Sequence, residues 1–331
     1  MICRTRGIFR ALLVGVALAG LGACSRGAPR PVPVLMYHHL APDPGADVWT
    51  VATEEFRRQI ADLQAAGYRT ILPADLAKRR AWKFWQPRKP VVITFDDGLL
   101  STRTEAEPIL RAAGFRAICY LITGSVADAP DGRMKYGTYD CLSWEEVRAM
   151  QNRGTFVFGI HSHSHAGRPA RLALEAAECR RLFKSKTRRT PRDYCYPYGV
   201  APDFLVQAVS NAGYRTAMVC ADQLFFPTPS ADYFRIPRVS VYGGRHEFAV
   251  APGAQPDSGT FCAEVLNRGV PLPVRGVLRH GETERAILRP PPAPLGPQPQ
   301  NWCWPLRSPP GDPSSLAVEI WEQNDLFRYV P

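Results

Sequence analysis

Four times between Thr53 and Val219 the chain repeats one pattern: an amphipathic helical stretch, a glycine, an aromatic or β-branched residue, then a short apolar run. TEEFRRQIADLQAAG places Phe56, Ile60 and Leu63 on one helical face, stops at Gly67 and hands over to YRTIL. TEAEPILRAAG stops at Gly114 before FRAICYLI. SWEEVRAMQNRG opens on a capping pair, Ser143 and Glu146, and stops at Gly154 before TFVFGI. APDFLVQAVSNAG stops at Gly213 before YRTAMV. Each unit is a helix, a glycine C-cap and a buried strand. Repeated helix-then-strand units lead to a parallel sheet with right-handed crossovers. Adding VPVLMYHHL, PVVITF and FRIPRVSV brings the count to about seven strands. The expected fold is therefore α/β, a distorted (β/α) barrel of about seven parallel strands over residues 34–245. In such barrels the site lies where the strands end.

Three strand ends carry chemistry. VVITFDDG closes a buried run with Asp96 and Asp97. Neighbouring residues on a strand face opposite ways, so both carboxylates reach one site only if the backbone turns, which Gly98 permits. D-D-G is also an ordinary turn. Two carboxylates at a barrel mouth can divide labour, one on a metal and one as a base. FGI is followed by HSHSH, with His161, His163 and His165 among the chain's seven histidines. Imidazoles at i and i+4 converge in a turn, whereas a straight strand would put all three on one face. YCYPYG, Tyr194 to Gly199, makes a tight turn whose backbone N–H groups can face the site.

Together these segments resemble the polysaccharide deacetylases, the NodB-homology or carbohydrate esterase family 4 group. TFDDG matches the first family motif, HSHSH the second, and YPYG the end of the third. PVLMYHHL and FRIPRVSV look like segments of the poly-N-acetylglucosamine deacetylase branch. The resemblance covers roughly Val34 to Gly244. It implies a divalent metal, zinc by default with cobalt, nickel or iron as alternatives, on Asp97, His161 and His165. It implies Asp96 as the base and the Tyr198 N–H as an oxyanion donor. It leaves His163 as a residue between ligands, with Ser162 as a backbone brace. Two departures stand out. Cys195 occupies the place where the family commonly has an arginine that orients the catalytic aspartate. The late histidine that serves as general acid has only His280, in VLRH, as a counterpart; protonated Asp96 is the other candidate. His38 and His39 end the first strand, where they can face the site, with a structural role the preferred reading. The expected partner is an N-acetylated polysaccharide. The rival readings are a glycan-binding lipoprotein with a degenerate site, and a deacetylase of peptidoglycan or chitin-like oligomers.

The flanks differ from this middle. Residues 1–23 read as an export signal: Arg4, Arg6 and Arg10, then the apolar run Ala11 to Ala23. LGAC resembles a lipoprotein signal in which Cys24 takes the lipid, with 24–33 as a tether. The expected location is the cell envelope, outer membrane or periplasm. Residues 246–331 read as an irregular Pro-rich tail, since the last 81 residues hold 15 of the 32 prolines. Seven cysteines remain beyond Cys3 and Cys24, an odd number with no C-x-x-C spacing. The net charge of +11 is spread along the chain without a basic stripe interleaved with aromatics. No nucleic-acid partner is expected.

Overall fold

The computed structural model describes residues 31–77 and 87–243, together with the backbone of six strands between 248 and 322. Two compact units result.

The larger unit is built on seven parallel strands: β1 (Val34–Tyr37), β2 (Pro90–Phe95), β3 (Ala117–Leu121), β4 (Phe156–Ile160), β5 (Asp193–Cys195), β6 (Thr216–Cys220) and β7 (Ile236–Ser240). Their order is β1-β7-β6-β5-β4-β3-β2, and β1 pairs β2 to close the ring. Leu35 lies opposite Val239 on one side and Ile93 on the other. Closure removes sheet edges and places all seven C-terminal ends around one mouth. A two-residue strand, Arg69–Thr70, adds outside β2.

The helices follow from the glycine-stopped pattern. They are α1 (Thr53–Ala65), α2 (Glu107–Ala112), α3 (Trp144–Arg153), α4 (Pro169–Thr187) and α5 (Asp203–Asn211). The α3 N-terminus has the expected capping box. Ser143 Oγ accepts from Glu146 N, and Ser143 N donates to Glu146 Oε2. Gly154 ends that helix at φ 82°, which a side chain would strain. Gly67, Gly114 and Gly213 also sit at positive φ.

The helices pack on the barrel through apolar faces. Phe56 of α1 meets Tyr37 edge-on at 5.1 Å, and Phe95 meets Phe156 at 5.7 Å. Trp144 is 1% exposed and lies against Phe183 of α4, so it serves the core. Inside the ring, Val34, Val92, Ile118, Tyr120, Met218 and Ile236 belong to one buried cluster. No helix among the described residues is long and apolar enough to cross a membrane.

The second unit corrects one expectation. Residues 246–331, read as irregular, contain six strands in two three-stranded antiparallel sheets. Phe248–Pro252, Thr260–Asn267 and Gln300–Pro305 form one. Val274–His280, Thr283–Ile287 and Leu316–Glu322 form the other. Sequence pattern missed them because prolines concentrate between the strands, and proline read as a strand breaker obscures the short apolar runs it flanks.

Candidate active site

Asp96 continues the line of β2, its N–H donating to Tyr37 O at 2.9 Å. The chain then turns within one residue. Asp97 itself takes φ 67° and Gly98 φ 73°, and Gly98 N donates back to Asp96 O. A left-handed non-glycine residue costs on the order of 1 kcal/mol or more, which marks a position the surroundings enforce. Gly98 is needed for a second reason: a Cβ there would stand 2.7 Å from Leu121 Cδ2. The turn sends both carboxyls toward the same mouth, as the sequence required for joint action.

After β4 the chain curls at Ser162 (φ 71°) and His165 (φ 49°). Ser162 Oγ accepts from His165 N at 2.9 Å and braces the curl. The imidazoles converge: His161 Nε2 and His165 Nε2 are 3.2 Å apart. Asp97 Oδ1 lies 3.6 Å from the first and 3.8 Å from the second. His163 goes elsewhere. It is exposed, and its Nδ1 meets Thr123 Oγ1 at 3.1 Å.

The remaining ring nitrogens are fixed from behind. His161 Nδ1 faces the Cys195 carbonyl at 2.9 Å, and His165 Nδ1 faces the Tyr136 hydroxyl at 2.8 Å. Each contact directs an Nε2 lone pair to the mouth. Burial pushes both imidazoles down to about 4, so they are neutral at physiological pH. Burial, then the adjacent Asp96, pushes Asp97 up to about 8. Asp97 Oδ1 is buried and accepts no hydrogen bond. Two neutral imidazoles and an orphaned carboxylate oxygen suit a divalent ion. Tetrahedral bonds of about 2.0–2.1 Å put ligand atoms roughly 3.3–3.4 Å apart, near the spacings seen. Asp97, His161 and His165 form one of two candidate donor groups among the described residues; Asp96, His161 and Cys195 form the other. The second is the poorer fit, because Asp96 is already committed.

That commitment was not visible in the sequence. Arg238, on β7, donates from Nη1 to Asp96 Oδ1 at 2.7 Å and from Nη2 to Asp96 Oδ2 at 2.8 Å. Burial disfavours the Asp96 charge, but Arg238, helped by His161 and His38, holds it well below the usual carboxylate range. So the arginine absent at Cys195 is supplied from another strand. Cys195 instead places its Sγ 3.5 Å from Asp96 Oδ2. One signal pointed there: a charged residue inside the apolar strand FRIPRVSV demands a buried partner.

His38 faces Asp96. Its Nε2 lies 4.0 Å from Asp96 Oδ2, on the mouth side of β1. His39 stacks on Tyr139 at 4.2 Å. His280 ends a strand of the second unit, and its side chain lies outside the described residues, as do Trp82, Trp85 and the N-terminal segment with Cys24. Tyr198 sits at φ 59° in the turn Pro197–Gly199. Gly199 N and Val200 N are spent inside that turn, on Tyr196 O and Pro197 O; the Tyr198 N–H takes no part in it. The Tyr198 ring is 63% exposed and covers His165 at 4.7 Å.

Residues 85–217 match the family model described as polysaccharide deacetylase. Over those residues the chain is similar to the polysaccharide deacetylases. Its similarity to known polysaccharide deacetylases extends beyond the matched segment. The poly-beta-1,6-N-acetyl-D-glucosamine N-deacetylase of Escherichia coli (strain K12) is 26% identical over 217 residues, covering 53% of this chain and 32% of that protein. The protein of that name from Staphylococcus epidermidis is 26% identical over 206 residues, covering 58% of this chain and 68% of that one. The chain spans under two thirds of some relatives, 63% in the case of YxkH of Bacillus subtilis. IcaB from Ammonifex degensii superposes with a TM-score of 0.55 at 25% identity, over 65% of this chain and 92% of that one. The Streptococcus pyogenes deacetylase PplD, at 20% identity and a TM-score of 0.56, shares the fold. The closed seven-strand barrel is thus the NodB-like barrel expected for a polysaccharide deacetylase.

Proposed function

We propose that this chain is a metal-dependent polysaccharide de-N-acetylase. It hydrolyses acetamide groups of an N-acetylglucosamine polymer at the cell surface and releases acetate. One observation carries the reading: an orphaned carboxylate oxygen, Asp97 Oδ1, faces two neutral imidazoles beside an arginine-clamped second aspartate. The names of the relatives motivate the choice of polymer, a β-1,6-linked poly-N-acetylglucosamine.

Asp97, His161 and His165 would hold the ion, with zinc the default for this donor set. When bound, it supplies Lewis acidity to the acetamide oxygen and to the attacking water. Asp96, kept ionised by Arg238, accepts the proton of that water. The Tyr198 N–H stabilises the oxyanion as the carbonyl becomes tetrahedral. His38, whose Nε2 lies 4.0 Å from Asp96 Oδ2, takes that proton from Asp96 and delivers it to the departing amine. This replaces His280 in the acid role. Tyr198, Tyr136 and Tyr139 border the mouth with aromatic surface suited to sugar rings. Residues 1–23 as an export signal and Cys24 as a lipid attachment point belong to the same reading.

The test is acetate release from a panel: poly-β-1,6-N-acetylglucosamine, chitin oligomers and peptidoglycan, with metal content measured on the same sample. Acetate from the first polymer, lost with chelator and restored by zinc, is the expected result. Tight metal with no acetate from any glycan refutes the enzymatic reading in favour of a binding protein.

A further inference from the structure

The two ends of the barrel differ in charge. Because the strands are parallel, the helix-to-strand connections gather at the end opposite Asp96 and His161. They read AGYR (66–69), PRK (87–89), AGFR (113–116), GT (154–155), RRTPR (188–192) and AGYR (212–215). These segments hold eight basic residues and no acidic one; the stretch leading into β7, ADYFR (231–235), adds Arg235 together with Asp232, and Asp75 also acts on Asp193 at this end. The opposite end carries Asp96 and Asp97, directly after β2.

Hydrogen bonds tie the basic segments edge to edge. Arg69 N donates to Lys89 O at 2.9 Å, and Arg215 N to Arg192 O at 2.7 Å. Arg116 N donates to Thr70 Oγ1 and its Nε to Gly154 O, at 2.8 and 3.1 Å. Arg189 Nη2 reaches Asn152 Oδ1 at 3.4 Å. Arg69, Arg116, Arg188, Arg189, Arg192 and Arg215 are exposed. Among the described residues none of the six forms an ion pair. Asp193, whose carboxyl feels Arg192 and Arg215, is buried and accepts from Thr216 instead. Helix dipoles explain cations in a last helical turn, but these residues lie beyond the helix ends.

The chain also enters the barrel at this end. Pro33 O accepts from Val92 N at the start of β1, so everything before Pro31 joins here. In the sequence, the apolar run Ala11–Ala23 stops eight residues earlier, a reach of no more than about 30 Å.

We propose that the basic end of the barrel docks on an anionic phospholipid surface, with the active-site mouth turned away from the membrane toward the polymer. The choice of lipid as occupant rests on the proposed lipid attachment at Cys24, seven residues before Pro31; the reaction plays no part in it. A single apolar or acyl anchor holds weakly, and a polybasic surface is the usual second signal. Each basic residue near an anionic headgroup layer strengthens attachment roughly fivefold, within a Debye length of about 10 Å at 0.1 M salt.

Flotation of the full chain with vesicles tests this, using phosphatidylcholine alone or with about a third phosphatidylglycerol. Partition at least about tenfold higher on the anionic vesicles is expected at 0.1 M salt, lost at 0.5 M. Combining Arg188→Glu, Arg189→Glu and Arg192→Glu should abolish that preference, leaving partition on neutral vesicles, the melting temperature and acetate release unchanged. If that variant does not fold, Arg116→Gln with Arg215→Gln samples the other side of the ring and should lower the preference severalfold. Equal partition of the native chain on both vesicles overturns the proposal, as does a folded variant that keeps the preference. So does a variant that loses only binding to a soluble polyanion such as dextran sulfate. A chain that releases no acetate but prefers anionic vesicles refutes the proposed reaction and leaves the docking surface standing.

Discussion

Arg238 and Asp96 stand 142 residues apart in sequence and share two parallel hydrogen bonds in the barrel interior, with side chains 0% and 2% exposed. Arg238 also donates to Thr94 Oγ1 at 3.1 Å, so its plane is fixed. Such a fork both orients a carboxylate and keeps it ionised. Arg238→Lys keeps the charge and loses the fork. We expect kcat to fall about 100-fold with metal content unchanged. Arg238→Met leaves a buried carboxylate unpaired and should cost roughly 3–5 kcal/mol by denaturant unfolding. Full activity in Arg238→Lys would contradict the orienting role.

The two adjacent aspartates should separate cleanly. Asp97→Ala and His165→Ala remove metal, read by elemental analysis after dialysis. Asp96→Asn should retain stoichiometric metal while acetate release drops by about 1,000-fold or more.

Tyr136 reaches His165 from the hairpin formed by Lys135–Tyr136 and Tyr139–Asp140. Removing its hydroxyl frees the ring without touching a ligand. Tyr136→Phe should weaken zinc affinity about 10- to 100-fold in chelator competition. His163→Ala, on the exposed side of the same loop, should leave affinity and kcat within about twofold.

If His38 protonates the leaving amine, its loss should matter less when the leaving group needs no proton. His38→Ala should slow amide hydrolysis about 100-fold or more, and slow hydrolysis of an activated aryl acetate far less. An equal loss on both substrates would return His38 to a structural role.

Asp193 gives a pH dependence away from the site. Burial raises its carboxyl to about 6, opposed by the Thr216 hydrogen bond. The folded state therefore holds this proton more tightly than the unfolded chain does. Its contribution is neutral below about pH 4, and stability falls as pH rises from about 4 to 6, by roughly 3 kcal/mol at most. Asp193→Asn should flatten that fall in unfolding curves taken from pH 4 to 7.

The sequence alone carried the architecture. Glycine-stopped amphipathic helices alternating with apolar runs leave few options besides a parallel barrel, because each signal is local: a cap, a face, a strand. The carboxylates and histidines at the strand ends were visible for the same reason, but spacing left His161, His163 and His165 equivalent; Asp97, His161 and His165 were singled out by the family resemblance. What one strand brings to another was not legible. Closing β1 onto β2 and β7 brings His38 and Arg238 to Asp96, and no local pattern encodes that pairing. Charge behaved likewise: basic residues scattered along the chain converge at one end of the barrel only because parallel strands stack their connections there. Local chemistry is written in short segments and can be read from them. Tertiary structure decides which distant segments share a dry site or a common face, because ring closure fixes distances that chain order leaves free.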